Sequence, residues 1–203
     1  MAKMMPWEVH PDLTEDRLEM VARLLAEVRN EARDEYDPEK GDGPWNLGCT
    51  AFYRSCSRIS QAASDFDWLG VIDPNFRFVF GIGAVPVRFF HGAAVSPRSN
   101  LLIRSNLELV WEQEVMEFVD EKEQQGWRWV IAIETDVEGY VAQVVIVQVN
   151  ERKETRNAWS IPFEGTVSVL AALGKVKAPV KLPPATVGLP GEREAADEDA
   201  GRS

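Results

Sequence analysis

The 203-residue chain is 45% hydrophobic and 27% charged, with 22 basic against 33 acidic side chains and a formal net charge of −11. An apolar fraction of that size fills a sizeable core, which excludes a wholly disordered or fibrous chain, and the length suits one domain with a tail. No apolar run approaches the ~20 residues of a membrane span, and Met1–His10 lacks the apolar region of a secretory signal, so a cytoplasmic protein is expected.

Residues 1–13 read as an irregular lead containing Pro6 and Pro11. Thr14 followed by Glu15 and Asp16 is a helix-start pattern, because a hydroxyl caps free amides and acids suit the positive helix end. Leu18, Val21, Leu25, Val28 and Ala32 then recur at alternating spacings of three and four, one stripe of a helix ending near Tyr36. The run Asp37–Pro44 breaks the chain. A second helix is expected from about Leu47 to Ser64, with Phe52, Cys56, Ile59 and Ala63 inward. Within it Cys49 and Cys56 lie seven residues apart, roughly 10 Å along the axis, too far to bridge one another.

After Asp73-Pro74 the period changes to two: Phe76, Phe78 and Phe80 alternate with Arg77 and Val79 as a strand with one aromatic face. Val85–Phe90 resumes an extended form in which Pro86, lacking an N–H, belongs at an edge or bulge. His91–Arg104 reads as a surface loop. Ser105-Asn106-Leu107-Glu108 fits a capping box, opening a third helix to about Gln125 with Leu107, Trp111, Val115 and Phe118 buried. Trp129, Ile131 and Ile133 mark a half-buried strand, Asp136–Gly139 a turn, and Tyr140–Val149 a strand covered on both faces. Asn157–Phe163 closes an antiparallel three-strand meander, and Val167–Leu173 forms a short last helix. Residues 176–203, with Pro179, Pro183, Pro184 and Pro190 ahead of the acidic patch Glu192–Asp199, read as a flexible tail behind a single globular domain of residues 1–175. The expected fold is α+β: two N-terminal helices, a hairpin-like extended pair, a third helix, then the meander.

Charge is uneven along the chain. Residues 1–74 and 108–175 each carry net −7 and residues 176–203 net −1, whereas residues 75–107 hold four arginines and no acid. Overall acidity argues against a general nucleic-acid coat, but a basic segment in an acidic frame would focus a small anion or phosphate. Arg77, Arg88, His91, Arg98 and Arg104 are therefore the candidate anion or nucleic-acid residues, set against the default of arginines that are solvated or paired with acids.

Catalytic constellations are thin. A pairing of Cys56 as nucleophile with His91 as base has the right chemistry, yet Cys56 falls on an apolar stripe where a small buried hydrophobe is the default. Glu134 and Asp136, two apart near a strand end, leave on one face and are weak candidates for a metal-dependent hydrolase; turn-proximal acids on a solvent face are the default. Gly81-x-Gly83 lacks the third glycine and following helix of a dinucleotide-binding loop, and reads as a bulge or a tight approach of backbones. The aromatic run Phe76–Phe80 lacks the glycines of an RNA-recognition strand, so one face of a core is the default. No cofactor is expected.

Seven tryptophans are many for this length. Trp7, Trp45 and Trp127 fall in or beside loops, where an amphipathic ring suits an interface, and Pro179, Pro183 and Pro184 suit extended docking in an aromatic groove. The function expected is a non-enzymatic accessory protein that binds another macromolecule, a protein partner first and a second copy of itself next, with no membrane contact. Anion, nucleotide or nucleic-acid binding through residues 75–107 is the alternative.

Overall fold

The computed structural model describes residues 4–97, 103–115 and 126–163. In chain order these form helices α1 (Pro6–Val9), α2 (Glu15–Asp34) and α3 (Pro44–Ala62), strands β1 (Leu69–Asp73), β2 (Val79–Ile82) and β3 (Val85–His91), helix α4 (Asn106–Val115), and strands β4 (Trp127–Thr135), β5 (Val141–Asn150) and β6 (Thr155–Ile161). A single 3-10 turn, Pro38–Lys40, lies between α2 and α3.

The helix starts follow local chemistry. Thr14 takes the N-cap position of α2 in extended conformation, though its hydroxyl makes no capping hydrogen bond, and Glu15 and Asp16 stand in the first turn. Gly43 caps α3 and Pro44 occupies its first position, where a missing N–H costs nothing. At α4 the capping box is realised: Ser105 Oγ accepts from the Glu108 N–H at 3.2 Å, and Glu108 Oε2 accepts from the Ser105 N–H at 3.3 Å.

All six strands join one mixed sheet in the order β1-β2-β3-β4-β5-β6. Four of the five pairings are antiparallel, while β3 and β4 are parallel in the register Val87↔Trp129 to His91↔Ile133. Parallel neighbours need a crossover of a dozen residues or more, and α4 lies in the segment between them. The three antiparallel strands at the C-terminal side are thus half of a larger sheet, and the expected free-standing meander is corrected to that extent. β1, five residues in length, has no counterpart in the sequence-based expectation.

Alternation along the strands divides the core. Phe80, Ile82, Val85, Val87, Phe89, Trp129, Ile131, Ile133, Val144 and Ile146 face α2 and α3, meeting Leu18, Val21, Leu25 and Ile59. Their neighbours on the opposite face, Phe90, Val130, Ala132, Val145, Val147 and Val149, form a second apolar cluster. Arg88 and Gly81 also point to that second face, where they meet α4: Arg88 pairs with Glu108, and the Trp111 ring stands 3.5 Å from the place a Gly81 side chain would take.

Several stripes differ from expectation in detail. Phe78 and Phe80 are buried, but Phe76 belongs to the turn before β2 and is exposed, because Asp73 Oδ1 accepts from the backbone and side chain of Asn75 and bends the chain there. On α3 the expected Ile59 is fully buried together with Ala51 and Ser55, while the expected Phe52, Cys56 and Ala63 are half-buried against the same core. Leu107 is exposed, and the inward residues of α4 are Glu108 and Trp111. Among the described residues no helix is long and apolar enough to cross a membrane. Phe118, the expected helix Val167–Leu173 and the tail 176–203 lie outside the described residues.

One long-range clamp holds the β2–β3 hairpin to the N-terminal lead. Asp12 Oδ2 accepts from the Ala84 N–H at 2.9 Å, its Oδ1 takes Arg17 Nη1 at 2.9 Å, and Arg17 lies over the Trp68 ring at 5.3 Å. Burial alone would raise the Asp12 pKa, but the Ala84 amide, Arg17 and the neighbouring His10 ring outweigh it and hold the carboxyl below its ordinary value. Gly83 makes the approach possible: its φ is +57°, and a Cβ there would sit 2.2 Å from Asp12 Cγ. Gly83→Ala is therefore expected to cost roughly 2–3 kcal/mol in urea unfolding, by strain and by displacing the Asp12 clamp; a midpoint within error of wild type would refute the clamp.

Candidate functional site

The described members of the arginine-rich segment stand in different settings. Arg88, at its centre, is buried on β3 and ion-paired with buried Glu108 of α4. A second carboxylate, Asp73 at the end of β1, belongs to the same buried network. Burial would raise its pKa, but hydrogen bonds from Asn75 and Ser105 and the charge of Arg88 hold it below the ordinary value. Arg77 is exposed in the turn before β2, while Arg104 is half-buried just ahead of α4. His91, half-buried at the end of β3, stands edge-on to Phe89 with centroids 6.5 Å apart. Arg98 lies outside the described residues.

The carboxylates singled out for a metal have other occupations. Glu134 Oε1 accepts from the Ala94 N–H at 2.7 Å and its Oε2 from Gln143 Nε2 at 2.6 Å, fastening the loop after β3 to the sheet. Asp136 Oδ1 accepts from the Glu138 and Tyr140 amides and shapes the β4–β5 turn. Among the described residues no group of three or more His, Cys, Asp or Glu is placed to hold a metal. Cys56 packs against the core, and burial pushes its thiol up to about 12, so it is protonated at neutral pH rather than a ready nucleophile.

The three loop tryptophans have separate fates. Trp7 is an anchor, half-buried and T-stacked on Trp159 with centroids 5.0 Å apart. Trp127 lies at the start of β4 beneath the Arg156 guanidinium, 4.2 Å from the ring centre. Trp45 is 78% exposed in the first turn of α3. Pro179, Pro183 and Pro184 lie outside the described residues.

Trp45 is not isolated. Trp45, Cys49, Phe52, Tyr53 and Cys56 fall within one arc of α3 by the helical period. Tyr53 is 59% exposed and stands 5.6 Å from the half-buried Phe52, which in turn stands 6.3 Å from Phe76, itself 75% exposed. Phe52 rests on buried Phe89 at 5.4 Å, so the outer rings sit on a fixed aromatic floor. The result is a strip of three exposed rings along α3 and the turn before β2. Tyr53 and Phe76 were not candidates from sequence: the first is simply the next ring along the Trp45 arc, and the second was placed on a buried strand face. A charged groove of about 230 Å³ lies between α2 and α3, with the pairs Arg54–Glu35 and Arg58–Glu31 beside it.

The chain matches no family model, no curated protein and no solved structure in the comparisons made.

Two expectations follow from the buried groups. Glu108→Leu leaves Arg88 enclosed without its closest acid and should cost about 3–5 kcal/mol, whereas Arg88→Met with Glu108→Leu should cost only about 1 kcal/mol, the share of the lost helix cap. Urea unfolding of the two variants side by side decides this, and equal losses would count against a buried pair. With a maleimide reagent at neutral pH, Cys49→Ser should be labelled far more slowly in its native state than Cys56→Ser, because only the former depends on the Cys56 thiol. Equal rates would contradict the burial of that thiol.

Proposed function

We propose that this is a non-enzymatic accessory protein that binds another protein through the aromatic strip Trp45, Tyr53 and Phe76. The exposure of three rings, Tyr53 and Phe76 joined through Phe52 and Trp45 two turns earlier on the same arc of α3, carries the reading, since large apolar rings left in water mark interaction sites. Rings of this kind bury roughly 150–250 Å² each, so the exposed parts come to on the order of 400 Å². A stable interface needs about 800 Å² from each partner, so the strip is the apolar centre of a contact rather than all of it. Exposed Arg77, next to Phe76, belongs to the charged rim such a centre requires.

A nucleic-acid reading draws on the same neighbours, because an exposed Phe beside an arginine suits stacking on a base. The net charge of −11 weighs against it, as does the engagement of Arg88 by Glu108 inside the molecule.

A photo-crosslinking residue at position 53, with the same residue at exposed Arg23 on α2 as control, tests the proposal in the source cell. A protein captured from position 53 alone, retained at high salt and lost in Trp45→Ser with Phe76→Ser, is the expected outcome. Capture equal from both positions, or unaffected by the double substitution, would overturn it. Salt-sensitive capture of nucleic acid would transfer the reading to the alternative.

A further inference from the structure

The second buried arginine is treated very differently from Arg88. Arg29 continues the core stripe of α2, four residues after Leu25 and three before Ala32, where the pattern asks for an apolar side chain. It is 8% exposed, its Nε is fully enclosed with no acceptor, and no ion pair joins it to a carboxylate of the described residues. One turn on, Arg33 also has no ion pair among the described residues; its Nε donates to the Glu138 carbonyl, and its guanidinium lies between the Tyr36 and Tyr140 rings at 5.4 and 5.6 Å. The nearest acid on α2, Asp34, accepts instead from the Tyr140 hydroxyl at 2.8 Å.

The two guanidiniums converge on one place. A Cβ built on Gly139, in the β4–β5 turn, would be crowded by Arg33 Cδ at 3.1 Å and Nε at 3.2 Å and would touch Arg29 Nη2 at 3.8 Å, so both guanidiniums lie against this turn with these nitrogens within about 7 Å of each other. Burial and the charge of Arg33 both lower the Arg29 pKa, the signature of a cation short of a counter-charge. Asp34 and Glu138 act on Tyr140 alongside Arg33, so acids are near that guanidinium, and the charge left short of a partner is chiefly that of Arg29. A buried, unpaired guanidinium is among the costliest groups a fold can carry, and in a chain with 33 acids its lack of a partner is informative.

We propose that Arg29 and Arg33, at the Gly139 turn, form a binding site for a phosphate-class oxyanion. Arginine presents paired N–H donors that match the oxygens of such an anion, and a dianion matches two adjacent guanidiniums in charge. The site lies on the α2 and β4–β5 side of the molecule and uses none of residues 75–107, so it is independent of the aromatic strip and of the reading built on it.

Thermal unfolding of the full chain tests this, with sodium phosphate, phenyl phosphate and sodium chloride compared at equal ionic strength. Wild type is expected to gain several degrees in phosphate over chloride, and Arg29→Met to lose that ion-specific gain while matching or exceeding wild type in chloride. The variant also corrects for phosphate's general stabilising effect on folded proteins, which it retains. Phenyl phosphate as effective as inorganic phosphate assigns a monoester ligand, and inorganic phosphate alone a free ion; both support the site. No ion-specific gain in wild type, or an equal gain in Arg29→Met, overturns it. Arg33→Gln, altered at a less buried position, gives the same comparison should Arg29→Met fail to fold.

Discussion

A guanidinium enclosed in low dielectric must be met by carboxylates, and at Arg88 that requirement fastens three elements at once. The side chain leaves β3 on the face away from α2 and α3, pairs with Glu108 in α4, and lies in the field of Asp73 at the end of β1. The parallel pairing of β3 with β4 depends on where the crossover between them runs, and α4 belongs to that crossover. Glu108 also closes the capping box that starts α4, so one carboxylate fixes both where the helix begins and where it sits. Replacing the pair with apolar side chains need not cost stability; what the ion pair adds is a unique position for the helix over the sheet.

Elements whose signals are local were legible in the sequence. The cap at Thr14, the box at Ser105 and Glu108, the turn at Asp136–Gly139 and the valine-rich β5 all appear within a residue or so of where their chemistry places them. What was not legible depends on partners distant in sequence. β1 is a short edge strand with a register shift between Val71 and Asp73, and only its pairing with β2 makes Leu69–Asp73 a strand. The parallel link was hidden because a helix between two strand runs fits both a βαβ unit and separate hairpins. Composition by windows failed for a related reason. The segment 75–107 looked unopposed because its edges fall between Arg88 and the two acids, Asp73 and Glu108, that face it in space.

The candidate surface was half legible for a reason of packing. Periodicity says which residues share a face, but not whether another element covers that face. On α3 the fully buried line is made of small residues, Ala51 and Ser55, with Ile59, and the large rings flank it. Phe52 is caught at the edge, resting on Phe89, while Trp45 and Tyr53 extend past the cover. Phe76 escapes burial because Asp73 captures the Asn75 amide and turns the chain before the strand begins. An alternating aromatic run thus contributes two rings to the core and one to the surface.

Arg29 and Arg88 occupy comparable positions, each on the inward face of a regular element and each almost fully enclosed. One is opposed by acids from two other elements, and the other has an arginine as its nearest charged neighbour. The ion pair with Glu108 accounts for the charge of the first, and no ion pair within the described residues does so for the second. Helix propensity does not require Arg29, since leucine or alanine would serve the stripe at least as well. The glycine of the opposing turn is needed for the turn itself, since Gly139 sits at φ +93°, and it leaves only backbone against the two guanidiniums. Arg29, a charge set in an apolar stripe with no internal partner, is the departure from the optimum of the core that a site selected for a charge from outside the chain would leave behind.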